Sequence, residues 1–205
     1  SISEIAFEVA KALLGEDVPE NDLRGIIERS INFDAPLVSI EPNKYVLELF
    51  HGPSMAFKDF GARFMAALMS YFLQKSHQDI HILVATSGDT GGAVAQGFYN
   101  TPGIKVTILY PTGKVSDIQE KQLTTLGGNV TALEVDGTFD DCQSLVKQAF
   151  LDKELSSKYN LASANSINIS RLIPQSFYYF NAYAQLKKAG VDKPVVFCVP
   201  SGNFG

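Results

Sequence analysis

Ile80-His81-Ile82-Leu83-Val84-Ala85-Thr86-Ser87-Gly88-Asp89-Thr90-Gly91-Gly92 decides how this chain folds. An apolar run from Ile80 to Thr86 reads as a strand, the glycines and hydroxyls that follow as a tight turn, and Gly92 to Tyr99 as a helix. The alternation continues outward. Val106 to Tyr110, Val130 to Val135, Leu161 to Ser163 and Val195 to Val199 read as strands. Asp117 to Leu126, Asp140 to Phe150 and Pro174 to Ala189 read as helices between or after them. Strands and helices joined this closely predict an α/β fold of three layers, with parallel or mixed sheets covered by helices.

Upstream, Ile5, Val9, Ala12 and Leu13 recur at helical spacing over residues 3–15, and Asn21 to Ser30 gives a second short helix. Tyr45 to Phe50 reads as a strand. Phe60, Phe64, Ala67, Leu68, Tyr71 and Phe72 then predict a helix from about Asp59 to Gln74, which puts Lys58 at its N-terminal end. The expected organisation is a helical lead-in and first part of a larger domain over 1–79, a smaller α/β domain over 80–159, and a return to the larger domain over 160–205.

Of 205 residues, 45% are hydrophobic and 19% charged, which suits a packed globular body. The net charge is −5 and the charges are scattered, so no basic stripe is available for a nucleic acid. No run approaches the roughly 18 apolar residues of a membrane span, and no basic region with an apolar run opens the chain. Cys142 and Cys198 follow no metal-ligand spacing and sit in apolar surroundings, so both are expected to be buried thiols of a cytoplasmic protein that holds no metal. The missing initiator methionine and the end at Ser201-Gly202-Asn203-Phe204-Gly205 together predict a fragment lacking both ends.

In parallel sheets, ligands bind where strand ends and helix N-termini converge, and three loops there stand out. Thr86 to Gly92 offers small residues, hydroxyls and amides at a helix start, which suits a carboxylate or phosphate. It serves equally as a turn whose Ser and Thr cap the helix. It is not GxGxxG, and the strand ending Ile108-Leu109-Tyr110-Pro111 lacks the acidic residue that holds a dinucleotide ribose. Asn165-Ser166-Ile167-Asn168-Ile169-Ser170-Arg171 pairs a planar cation with polar side chains, a second anion site or a turn beside a surface ion pair. Ser201 to Gly205 has the composition of a phosphate-cradling nest or of an ordinary turn.

Lysine at a helix N-terminus opposes the macrodipole, and Met55, Phe57 and Phe60 around Lys58 add desolvation. Both effects favour the free amine that forms Schiff bases. His51 and Asp59 are read as satisfied structural neighbours.

Leu49-Phe50-His51-Gly52-Pro53-Ser54-Met55-Ala56-Phe57-Lys58-Asp59-Phe60-Gly61-Ala62-Arg63-Phe64, Ala85 to Gly91, Asn165 to Asn168 and Ser201 to Gly205 occur in an order that resembles the threonine synthases. These are pyridoxal-phosphate enzymes of the tryptophan-synthase-β structural group, fold type II. The resemblance covers nearly all of this chain but about half of a family member. It implies that Lys58 carries pyridoxal 5'-phosphate as a Schiff base, with Asp89 against the cofactor's face and Gly202, Asn203, Phe204 and Gly205 around its phosphate. It implies that Ser87, Gly88, Asp89 and Thr90 receive the substrate α-carboxylate. The phosphate of O-phospho-L-homoserine is assigned to Arg171 with Asn165, Ser166 and Asn168. Asp89, where the wider group has Asn, fits one branch of threonine synthases. The implied reaction is the lyase step of threonine biosynthesis, in which O-phospho-L-homoserine and water give L-threonine and phosphate. A serine or threonine dehydratase of the same group, or a fragment that cannot hold the cofactor and is inactive alone, are the competing expectations.

Overall fold

A computed structural model describes residues 1–164 and 168–200. Helices α1 (Ile2–Leu14) and α2 (Glu20–Ser30) lead to a hairpin of β1 (Leu37–Glu41) and β2 (Lys44–Leu47), followed by the long helix α3 (Lys58–Ser76). Next come β3 (Ile80–Ala85), α4 (Asp89–Phe98), β4 (Ile104–Pro111), α5 (Asp117–Thr124), β5 (Val130–Val135) and α6 (Phe139–Leu151). The short α7 (Lys153–Lys158), β6 (Leu161–Ser163) and α8 (Ile169–Lys188) complete the order.

The main sheet has four parallel strands in the order β5-β4-β3-β6, and β1 pairs with β2 in a separate antiparallel hairpin. On one face, Ile82, Val84, Val106 and Ile108 pack with Ala93, Val94 and Phe98 of α4 and with Ala62, Met65 and Ala66 of α3. On the other, Cys142 and Val146 of α6 pack against Ala85 and Leu83. Helices on both faces make three layers, as the alternation predicts. Fully burying one Leu, Ile or Phe is worth roughly 1.5–3 kcal/mol, so both faces must be covered.

Helix α3 belongs to two cores at once. Its Phe60, Phe64 and Leu68 join α1, α2 and α8 in a second cluster, where Phe60 meets Tyr178 edge-on and Phe64 meets Phe177. Small residues let the helices close on one another: a Cβ at Gly61 would lie 2.9 Å from the Arg171 carbonyl, and one at Gly97 would lie 3.0 Å from the Ala62 backbone. Lys58, at the start of α3, is thereby fixed relative to both cores.

Several boundaries differ from expectation. β1 goes unread because only Leu37 of its five residues is even partly buried, which leaves no alternation to detect. The hairpin turns at Pro42-Asn43, with Asn43 at φ 60°. α8 starts before Pro174 rather than at it, since a proline this near the helix start forfeits a single intrahelical bond. Val195 to Val199 forms no strand: it pairs with no ladder among the described residues, and Val196 is 89% exposed. For the same reason Cys198 is exposed, not buried, whereas Cys142 is buried. None of the helices among the described residues is long and apolar enough to cross a membrane.

β4 and β5 lie on one side of β3, and β6 returns to the other. The crevice outside the carboxyl ends of β3 and β6 is therefore a topological switch point, where ligands of open parallel sheets bind. The loop into α4 and the segment into α8 flank it.

Candidate functional site

The turn before α3 is set by a buried carboxylate. Asp59 is 0% exposed, and its oxygens accept hydrogen bonds from the Ser54 amide (2.8 Å) and the Ser54 hydroxyl (2.6 Å). Gly52 is required here, because a Cβ would overlap the Asp59 side chain. Met55 is held at φ 55°, a left-handed conformation that a non-glycine residue adopts at a cost. His51 is outside this network and pairs instead with Glu48 at 2.8 Å. Burial raises the Asp59 pKa, opposed mainly by the two bonds from Ser54.

Lys58 is half-buried, and its Nζ donates to Thr90 Oγ1 at 2.7 Å. Its pKa is lowered, first by burial and then by the Arg171 cation, while the Asp89 carboxylate pulls the other way. The fraction of free amine rises accordingly.

Thr86 builds the glycine loop. Its hydroxyl accepts from the amides of Gly88 (3.0 Å) and Gly91 (2.8 Å), and donates to the Gly88 carbonyl. Gly88 sits at φ 143°, which L side chains rarely adopt, and a Cβ there would overlap the Gln119 carboxamide. With the Gly91 amide taken by Thr86 and that of Gly92 bonded to the Gly88 carbonyl, the helix leaves the amides of Asp89 and Thr90 to other partners. Their position at the start of α4 is a natural anion site. Ser87 and Asp89 are exposed at its mouth.

Arg171 is only 1% exposed, the largest fully buried side chain among the described residues. Nη1 donates to the Ala164 carbonyl at 2.7 Å, and Nε has no hydrogen-bond partner among the described residues. Burial pushes its pKa down to about 10. Asn168 is occupied as the cap of α8, its Oδ1 accepting from the Ser170 amide (3.1 Å) and hydroxyl (2.7 Å). Asn165, Ser166, Gly202, Asn203, Phe204 and Gly205 lie outside the described residues.

The structure thus brings Lys58, Thr90, Asp89 and Arg171 into one electrostatic neighbourhood from three helices. Of these four, Asp89 lines a cleft of about 560 Å³, between Met55, Ala56, Phe57, Tyr179 and the Phe197–Pro200 segment. That volume is in the range of small-molecule sites. Three contributors escape sequence reasoning: Thr86 inside the loop, Ser54 under Lys58, and Gln119 of α5. Their contacts join residues that no periodicity connects, although Thr86 and Ser54 stand in the quoted motifs and Gln119 ends a Ser-x-x-Gln capping pattern. No group of three or more His, Cys, Asp and Glu that could hold a metal occurs among the described residues.

A family model for pyridoxal-phosphate dependent enzymes matches residues 34–205. The chain belongs to that family. Its fold is that of fold type II members: the PLP-bound threonine synthase from Brucella melitensis superposes with a TM-score of 0.90 at 41% identity, covering 100% of this chain and 45% of that one. Threonine synthase of Escherichia coli (strain K12) is 50% identical over 198 residues, 97% of this chain and 46% of that protein. Threonine synthase of Saccharomyces cerevisiae is 42% identical over 224 residues, 100% of this chain and 44% of that protein. This chain therefore spans about half the length of the curated relatives it matches. Diaminopropionate ammonia lyase from Escherichia coli, at 16% identity and a TM-score of 0.61, shares the fold alone.

The cofactor of the family is pyridoxal phosphate, and the residues present fit it. A partly desolvated lysine amine bonded to the start of α4 offers the attachment point, and the Asp89 and Thr90 amides that the helix leaves over offer donors to an anionic group.

Proposed function

We propose that the protein carrying this chain is a threonine synthase, a pyridoxal-phosphate lyase that converts O-phospho-L-homoserine and water to L-threonine and phosphate. The observation that carries it is the Lys58 amine, desolvated at the start of α3 and held against the glycine loop by Thr90. About 50% identity to threonine synthases over 97% of the chain supports the choice of reaction within the family. Pyridoxal phosphate, when bound, supplies an electron sink for charge developing on the substrate carbons.

Lys58 holds that cofactor covalently through Nζ. As a free amine Lys58 would move protons between successive substrate carbons, and its depressed pKa supports the base half of each transfer. Ser87, Gly88, Asp89 and Thr90 receive the α-carboxylate at the start of α4, where the Asp89 and Thr90 amides are free of the helix. Arg171 is assigned to the substrate phosphate, with Asn165, Ser166 and Asn168 beside it, a role supported by a buried guanidinium whose Nε has no partner among the described residues. Gly202 to Gly205 is assigned to the cofactor phosphate and Asp89 to the cofactor face, on sequence pattern. Residues 80–159 are assigned to a smaller domain that carries the glycine loop, with 1–79 and 160–205 in the larger one. The two free cysteines support a reducing, cytoplasmic setting.

The intact protein, given pyridoxal phosphate and O-phospho-L-homoserine, is expected to release phosphate and threonine, and Lys58→Ala to release neither. Ammonia and a keto acid in their place would assign it to the dehydratases.

A further inference from the structure

Gln119 is the third residue of α5 and part of its capping box: Oε1 accepts from the Ser116 amide and hydroxyl, each at 3.1 Å, while the Gln119 amide meets Ser116 Oγ at 3.4 Å. With Oε1 spent on the Ser116 N–H, the chemistry of the carboxamide leaves only its NH2 end to face outward. That end donates to Asp89 Oδ1 at 2.7 Å. The contact is built in from both sides. Gly88, at φ 143°, has no side chain to occupy the space that the Gln119 carboxamide fills. One turn on, Gln122 of the same helix packs against Gly92 and reaches the Ser54 carbonyl at 3.4 Å. α5 thus touches both the glycine loop and the turn that carries Lys58.

We propose that Gln119 is a positioning residue, which uses the fixed cap of α5 to hold the Asp89 carboxylate in place beside the Lys58 amine. Asp89 is exposed and would otherwise turn to water, since Gln119 is the partner that restrains its side chain. The charged groups that bear on Lys58 are Asp89 of α4 and Arg171 of α8. Asp59 of its own helix is turned onto Ser54, and Glu120 of α5 bears on Tyr110 of β4. Holding Asp89 in place therefore sets the balance between one cation and one anion around the amine. The consequence for catalysis rests on Lys58 being the cofactor lysine, but the contact and its test do not.

The test follows acetylation of Lys58 by acetic anhydride against pH in the cofactor-free intact protein, read by mass spectrometry on the peptide that contains it. Gln119→Ala frees Asp89, so the midpoint for Lys58 is expected to fall by about half a pH unit, the scale of one unit charge a few ångströms away in a wet site. Gln119→Glu keeps the capping box but replaces the donor by an anion at the same place, so its midpoint stays at or above that of the unmodified protein. Ser116→Ala removes the hydroxyl half of the cap but keeps the Ser116 amide bond to Gln119 Oε1: it lowers the melting temperature as Gln119→Ala does, yet moves the Lys58 midpoint by clearly less. A Lys58 midpoint unchanged in Gln119→Ala, or shifted equally by Ser116→Ala, overturns the proposal. Cofactor binding measured on the same proteins keeps this outcome separate from the assignment of Lys58. If Lys58→Ala bound the cofactor covalently, that assignment would fail whatever Gln119 did.

Discussion

Ser54→Ala removes the 2.6 Å hydrogen bond from the Ser54 hydroxyl to Asp59 Oδ1 and leaves the 2.8 Å bond from the Ser54 amide to Oδ2. A hydrogen bond to a buried charged group contributes roughly 1.5–3 kcal/mol, so the loss near neutral pH should be about 2 kcal/mol. For a domain of this size that corresponds to a fall in melting temperature of roughly 4–8 °C. The loss depends on pH in a definite direction. Burial already raises the Asp59 pKa and the Ser54 bonds lower it, so deleting the hydroxyl raises it further. A carboxyl raised in the folded state costs stability above its folded pKa, and that cost disappears below the unfolded value, where both states are protonated. The Ser54→Ala penalty is thus full near pH 7 and shrinks, below about pH 4, to the worth of one neutral hydrogen bond, about 1 kcal/mol. Urea unfolding of the intact protein and the variant at both pH values measures it. Equal losses at the two pH values, or less than about 0.5 kcal/mol at pH 7, would refute Asp59 as the charged staple of the Lys58 turn.

Arg171→Met should leave stability unchanged or improve it, because an apolar side chain of similar size replaces a buried cation with an orphan Nε; it should raise KM for O-phospho-L-homoserine at least tenfold. Losing that cation should also move the Lys58 titration upward, since Arg171 lowers it, and Lys58 acetylation against pH reads this directly. Gly88→Ala should cost roughly 1–3 kcal/mol and weaken cofactor binding, because it strains the φ 143° backbone and displaces Gln119; thermal melting and a pyridoxal phosphate titration check both. Gly61→Ala should separate α3 from α8 by forcing a contact 2.9 Å from the Arg171 carbonyl, lowering the melting temperature by several degrees.

The strand-turn-helix from Ile80 to Phe98 was legible because three local signals coincide there: a β-branched run, a glycine cluster and a helical period of small residues. Lys58 at a helix start was legible for the same reason, from the aromatic spacing of α3. What could not be read was long-range. Asp59 reads in sequence as a satisfied structural group, and so it is, but its complete burial and its partner Ser54 follow only from the folded turn. Arg171 reads equally as an anion ligand or as half of a surface ion pair, and its burial against α3, where Gly61 admits its backbone, is visible only in the fold. Gln119 shows in sequence only as the end of a Ser116-x-x-Gln119 capping box, and its contact with Asp89 arises only when α5 packs over the glycine loop. Val195 to Val199 shows the converse: strand composition without a neighbouring ladder gives no strand.

Borohydride reduction of the intact protein loaded with pyridoxal phosphate, followed by peptide mass spectrometry, tests the central assignment most directly. The pyridoxyl group is expected on the peptide containing Lys58 and nowhere else, with none retained by Lys58→Ala. A pyridoxyl group on another lysine, or a visible absorption band that survives Lys58→Ala, would contradict it.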